Sequence, residues 1–363
     1  MHLEKKPKIS SKMIIAFAAA VLVAVICVYM IWERPPVVEE PDPSPEAAAD
    51  ITPEPTPEPT PEPMPDGTEF ENSRQDGVYT MLLVGLDQMS GSTDTILVGR
   101  FDTVKNELNL VSIPRDTLIN VDMEVRKLNT IYAGSINFGG NGIDSLLNQI
   151  DWLTGFVPDC YAVLDLETFI EIIDELGGVD FDVPEEMEYM YDDISERLYV
   201  YLAPGKQHLD GIHAMALCRY RVGYINADYG RIEVQHEFLK ACADQFIRLG
   251  TIPHARRIVE ILSEHMNTNL SSGNIAWFMR QLLQCKSRDI HFYTMPSDGV
   301  MLQGYSYVIP SLWPWLDMIN ESLNPFEQEL TMANTNFIYW NGTSYEGTQG
   351  YIDGAWYFQT GEE

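Results

Sequence analysis

VYTMLLVGLDQMSGSTDTILVGRFDTVKNELNLVSIPRDT, residues 78–117, decides the fold. Residues 78–86 form a dense apolar run that stops at Asp87, the pattern of a buried strand with a loop at its C-terminal end. Residues 95–102 and 107–112 are two further strand-like runs, and Val104-Lys105-Asn106 between them predicts a hairpin. Working outward, short β runs appear at 161–166, 179–183 and 290–295. Helical periodicity appears at 142–152, 166–176, 211–220, 228–249, 254–265 and 272–285, with a closing helix over 309–321. Strands interleaved with helices predict an α/β domain, a mixed central β-sheet covered by helices, its antiparallel part contributed by the early hairpin. The aromatic, glycine-rich tail, FIYWNGTSYEGTQG at 337–350, is compatible with an edge hairpin or with a surface-binding extension.

Upstream the chain has a different character. Residues 13–32, MIIAFAAAVLVAVICVYMIW, are free of charge, and as a helix they would span about 30 Å, the hydrocarbon thickness of a bilayer. Lys5, Lys6, Lys8 and Lys12 precede the run, so the N-terminus is expected in the cytoplasm and everything after Trp32 outside. A cleaved signal peptide would have a shorter apolar run and a small-x-small site, whereas Glu33-Arg34-Pro35-Pro36 follows here. Thr-Pro-Glu-Pro then repeats from Thr52 to Pro63. Proline fixes φ and the glutamates repel, so 35–66 reads as a disordered, extended spacer of up to roughly 100 Å. The expected organisation is a cytoplasmic N-terminus (1–12), a transmembrane helix (13–32), a Pro/Glu-rich linker (33–76), an extracellular domain (77–327) and a C-terminal extension (328–363).

The chain has 23 Lys+Arg against 54 Asp+Glu, a net charge of −31, which excludes a nucleic-acid-binding role. A hydrophobic content of 45% is enough to bury a core over most of the length. Five cysteines far apart form neither a disulfide framework nor a zinc pattern. In so acidic a chain the cations need a reason. Arg115, Lys127, Arg219, Arg221 and Arg231 fall at apparent strand ends, loops and helix starts, and Gln235 shares a helix face with Arg231. Each alone suits a surface ion pair; together, several guanidinium forks from separate segments suit a phosphate or pyrophosphate. Asp87 and Asp94 flank the loop after the first strand. They suit either turn chemistry or a hard divalent cation completed by phosphate oxygens.

Several stretches, in order, resemble the LytR–CpsA–Psr family. They are Leu82-Leu-Val-Gly-Leu-Asp87, Thr93-Asp94-Thr95, Ser112-Ile-Pro-Arg-Asp-Thr117, Lys127-Leu-Asn129 with Tyr132-Ala133, and Asp174-Glu-Leu-Gly-Gly-Val179. Pro204-Gly205 with Leu209-Asp-Gly211, Arg219-Tyr-Arg221, Gly230-Arg231 and Gln235 follow, so the likeness runs from about residue 78 to 295. The resemblance implies a membrane-anchored enzyme of a Gram-positive envelope. It would transfer a glycopolymer, of teichoic acid or capsule type, from an undecaprenyl-pyrophosphate carrier to peptidoglycan with Mg²⁺. By position, Asp87 and Asp94 would hold the metal. Arg115, Arg219, Arg221 and Arg231 would grip the pyrophosphate, with Lys127 and Gln235 supporting. Two positions depart from the pattern: Ser92 and Val234 stand where the family usually has arginine. A non-catalytic surface protein binding polyprenyl lipid or wall polymer is therefore the alternative. A membrane-bound transcription regulator fits neither the outward topology nor the acidic charge. Phe238, Leu239, Cys242 and Phe246 form an apolar stripe, either plain core or the wall of a lipid slot.

Overall fold

The computed structural model describes residues 35–38, 73–86, 91–137, 139–191, 198–220, 228–249 and 252–354. The apolar run 13–32 and most of the spacer lie outside them. Among the described residues no helix is long and apolar enough to cross a membrane.

The opening stretch folds as expected. β1 (Val78–Leu86) pairs antiparallel with β2 (Thr93–Asp102), and β2 with β3 (Glu107–Ser112). At the β2–β3 turn Asn106 takes a left-handed backbone (φ 56°). There Asp102 Oδ1 accepts from the amides of Val104 (3.1 Å) and Lys105 (2.8 Å), chemistry that suits these residue types. Next come α1 (Ile131–Asn137), α2 (Gly142–Thr154), β4 (Cys160–Leu164) and α3 (Leu166–Glu175). β5 (Val179–Val183), β6 (Met187–Tyr191), β7 (Leu198–Leu202), β8 (Gly205–Leu209), α4 (Gly211–Arg219), α5 (Asp228–Leu249) and α6 (Ile252–His265) follow. The remainder is β9 (Asn267–Thr268), α7 (Ser272–Leu282), β10 (Ile290–Thr294), β11 (Ser297–Leu302), β12 (Tyr305–Pro310), α8 (Leu312–Met318), β13 (Ile338–Trp340) and β14 (Tyr345–Gly347). The central sheet has the order β10-β3-β2-β1-β4-β9 and is mixed: β10 runs parallel to β3 and β4 parallel to β1.

Register sorts the side chains by face. Leu82, Val98 and Val111 align across three strands, each 0% exposed, in one core with Leu146, Ile150 and Trp315 from α2 and α8. The alternate residues, Met81, Leu83, Phe101 and Leu110, pack on the other face against Phe278 and Ile247. A second core gathers Val179, Phe181, Leu209, Leu217, Phe238 and Phe246. Its corner is held by backbone geometry. Gly177 and Gly178 end α3 with φ of 77° and 81°, and Asp174 Oδ1 accepts from the Gly211 amide at 2.7 Å. A Cβ on Gly211 would fall on the carbonyl of Ile170. The stretches 174–179 and 204–211 thus meet as scaffold.

Two features differ from the sequence expectations, while the tail takes the hairpin form of its two expected alternatives. The hairpins β6–β7 and β11–β12, and the β5–β8 pairing, had no clear local signal. The closing helix starts only at Leu312, because Ile309 and Pro310 pair with β11, and it continues as a π-helical turn over Ile319–Leu323. The tail forms the β13–β14 hairpin, with Phe337 and Ile338 buried. Arg126, itself fully buried, ties the tail down by donating to the carbonyls of Asp353 (2.6 Å) and Gly354 (3.1 Å).

Candidate functional site

The ends of β1 and β4, the start of β2 and one side of α4 and α5 enclose a cavity of about 200 Å³. Most of its wall is apolar: Leu83, Leu97, Leu164, Phe169, Met215 and Leu239. Asp94, Arg219, Arg231 and Gln235 line the same space. A second, apolar cavity of about 230 Å³ shares Leu83 and Leu164 with it and continues toward Phe278 and Leu282 of α7.

Each polar group is held by its element. Arg231, in the first turn of α5, is buried, at 3% exposure. Arg219 is the last residue of α4, and its guanidinium sits 6.0 Å from the ring centre of Tyr189. Gln235 Nε2 donates to the Cys218 carbonyl at 2.8 Å, which satisfies an end-of-helix acceptor of α4 and binds α4 to α5. Asp94 Oδ1 accepts from Arg115 Nη1 at 2.6 Å. Arg115 Nε lies 3.9 Å from Asp116, and Lys127 Nζ pairs with Asp116 at 3.0 Å. A chain of alternating charges, Asp94–Arg115–Asp116–Lys127, therefore extends from the cavity.

Of the expected residues, Asp94, Arg219, Arg231 and Gln235 share one cavity, although they come from three separate elements. Arg115 reaches it through Asp94, and Lys127 stands one ion pair further out. Asp87 and Arg221 lie outside the described residues. Of the apolar stripe only Leu239 lines the cavity; Phe238, at 0% exposure, and Phe246 are core, and Cys242 packs against them. Val234 is also buried in that second core, so this position does not face the cavity. As for a cation, Asp94 lies at the cavity and Leu86, directly before Asp87, lines it too. A carboxylate such as that of Asp94 is the kind of oxygen ligand that suits Mg²⁺. Among the described residues no group of three or more His, Cys, Asp or Glu is placed to hold a metal alone, so substrate oxygens and water would complete such a site.

Sequence reasoning missed two participants. His236 lies against Ser112, with Nε2 and Oγ 2.6 Å apart, and beside Phe292. Burial pushes its imidazole down to about 4, so it is neutral at pH 7 and serves to pin the strand end from which Arg115 follows. A lone His in a helix pattern carries no signal of this. Cys218 lines the cavity, but burial raises its thiol to about 12, which makes it a wall and not a nucleophile.

The sequence model of the LytR_cpsA_psr family matches residues 51–322. TagV of Bacillus subtilis, named as a polyisoprenyl-teichoic acid–peptidoglycan teichoic acid transferase, is 27% identical over 197 residues, 53% of this chain and 50% of that protein. The regulatory protein MsrR of Staphylococcus aureus is 27% identical over 208 residues, 56% of this chain and 59% of that protein. The chain thus spans about half the length of the curated relatives it matches. The crystal structure of B. subtilis TagV superposes with a TM-score of 0.57 at 22% identity, covering 68% of this chain and 96% of that one. A structure of TagT bound to LI-WTA gives 0.54 at 19% identity, with 68% and 89% covered. These likenesses in structure speak to the fold, and the matched stretch takes in Asp94, Arg115, Arg219, Arg231 and Gln235. By the sequence match and the shared fold, this chain belongs to the LytR_cpsA_psr family.

Proposed function

We propose that the chain is a glycopolymer phosphotransferase. It is held in the membrane by residues 13–32 and works outside, moving a teichoic acid- or capsule-type polymer from an undecaprenyl-pyrophosphate carrier to peptidoglycan. One observation carries this reading: a leucine-lined cavity, continued by a second apolar one, is also lined by Arg219, Arg231 and Asp94. Few ligands need both chemistries within one small space, and a polyprenyl pyrophosphate is one of them. The names of TagV and TagT's bound LI-WTA support the same class of donor.

In this reading the lipid tail lies along Leu83, Leu164 and Leu239, excluding water. Arg219 and Arg231 hold the diphosphate by charge-assisted hydrogen bonds, and Arg115 orients Asp94. An acceptor hydroxyl, giving up its proton to a general base, forms a new P–O bond to the polymer-bearing phosphorus as the bridging P–O bond to the polyprenyl phosphate breaks and that phosphate leaves. The guanidiniums offset the charge that builds on the leaving phosphate, so positioning and electrostatics suffice without a covalent nucleophile. Mg²⁺, held by Asp94 and Asp87, would supply further charge neutralisation. The test is transfer in vitro from a polyprenyl-pyrophosphate-linked oligosaccharide to peptidoglycan, with Asp94→Ala as control. Mg²⁺-dependent transfer lost in the variant supports the reading; tight binding of the donor without turnover by the unaltered chain favours the non-catalytic alternative.

A further inference from the structure

Two further cavities lie on the side of the central sheet where α8 packs. β11, α8 and the β13–β14 hairpin frame a cavity of about 610 Å³. Two indoles line it while standing largely in solvent, Trp313 at 65% exposure and Trp340 at 51%. Trp340 sits opposite Tyr345 in the hairpin, their ring centres 4.8 Å apart and their planes inclined at 58°. Pro314 lines this cavity and also an adjoining one of about 470 Å³, where His291 and Tyr293 of edge strand β10 lie side by side, 6.3 Å apart and 28° from parallel. The two cavities read as one groove over α8. Tyr293 packs on the core that holds Trp315, whereas the arginine-lined cavity takes in Leu83 and Leu97 from the opposite face.

The polar lining decides what fits. Neither cavity is lined by Lys or Arg among the described residues, whereas Asp298, Glu107, Asp317 and Glu321 line one or the other. Asn109, only 3% exposed, lines the smaller cavity, and its Oδ1 has no hydrogen-bond partner. A buried acceptor left in that state carries a desolvation cost. Two half-exposed indoles beside one cavity form an apolar surface of the kind that marks binding sites. The lining favours an occupant that offers flat apolar faces to the rings and hydroxyl or amide donors to the carboxylates, and disfavours an anion. A pyranose chain with equatorial substituents has this chemistry: C–H faces above and below, donors around the rim. The Glu-rich proline repeat of this chain also belongs to the class that docks in aromatic grooves, but its charge is the same sign as the groove's. Trp340, Asn341 and Tyr345 lie past residue 322, where the family match ends.

We propose that the groove formed by Tyr293, Pro314, Trp313, Trp340 and Tyr345 binds an uncharged glycan strand. The proposal does not depend on the transferase reading, since no residue of the arginine-lined cavity takes part.

The test uses the full chain in detergent, titrated with a β-1,4-linked N-acetylglucosamine hexamer, cellohexaose, oligogalacturonate and a synthetic peptide of residues 52–63, followed by calorimetry and tryptophan fluorescence. At least one neutral hexamer is expected to bind, and the anionic oligomer and the peptide are not. Trp313→Ala and Trp340→Ala should each weaken binding about tenfold, Trp340→Phe should restore much of it, and the double Ala variant should abolish it. Polyprenyl pyrophosphate affinity and near-UV circular dichroism, measured on the same variants, should not move. The proposal is overturned if neither neutral hexamer binds, if the double variant binds as well as the parent, or if the peptide or the anionic oligomer binds in place of the neutral glycan.

Discussion

The cavity at the ends of β1 and β4 and the groove over α8 lie on opposite sides of one sheet and differ in their lining. The first sets Arg219 and Arg231 with Asp94 and Asp165 among leucines; the second sets Asp298 and Asp317 among tryptophan, tyrosine and proline. In a chain of net charge −31 the cations are the scarcer resource, and their gathering at one cavity is the more telling of the two. The lesson is that one acidic domain can keep its scarce arginines at one cavity and leave another lined by carboxylates alone among its charged side chains.

The comparison extends to single residues of α5, whose neighbours face different environments. Phe238 is fully buried in the second core, and Leu239 lines the cavity. Phe238→Ala should cost about 3–5 kcal/mol in chemical denaturation, whereas Leu239→Ala should leave stability nearly unchanged and weaken binding of a polyprenyl pyrophosphate. Equal stability losses in the two variants would break the distinction between core and cavity wall.

Next in size is Arg231→Lys. Charge is kept but the bidentate fork is lost, so transfer should fall roughly 100-fold while glycan binding by the groove stays at the parent level. A parallel fall of both would mean the two sites are not independent. Gly211→Ala should then cost about 1–3 kcal/mol, since the new methyl meets the Ile170 carbonyl where α3 and α4 touch. A thermal melt unchanged by this substitution would sink the scaffold reading of that corner.

The smallest effect expected is in pH dependence. His236 titrates near 4 in the folded chain against an ordinary 6.5, so the unfolded chain binds more protons between those values. Its contribution is fully present above pH 6.5 and is lost as pH falls toward 4. Because the ring is only half-buried, the loss should be of order 1–2 kcal/mol. His236→Gln, which keeps a hydrogen bond to Ser112, should flatten that part of the stability profile; an unchanged profile would contradict the assignment.

The two regions also differ in how far the sequence foretold them. β1 to β3, β5 and β10 are legible because buried strands need continuous or alternating apolar residues. The arginines of α4 and α5 are legible because cations are rare and sit at element ends. The β8 segment, GKQHL, holds one apolar residue and becomes a strand only by pairing with β5, a distant partner. The Ser112–His236 contact spans 124 positions and joins two residue types with ordinary roles elsewhere, so no local pattern marks it. The groove is the extreme case. Trp313 and Trp340 come from a helix and a hairpin with no motif between them, and aromatic residues in a sequence are more often core than surface. Only the fold shows that these two stand in solvent together.

The central claim is that a single cavity takes a lipid by its tail and its diphosphate at once. A crystal structure of the chain with a polyprenyl pyrophosphate tests it most directly. The account predicts the diphosphate within hydrogen-bonding distance of Arg219 and Arg231, beside Asp94, and the tail running along Leu83, Leu164 and Leu239. A lipid whose diphosphate lies away from both arginines, or whose tail lies in the groove beside Trp313 and Trp340, would contradict it.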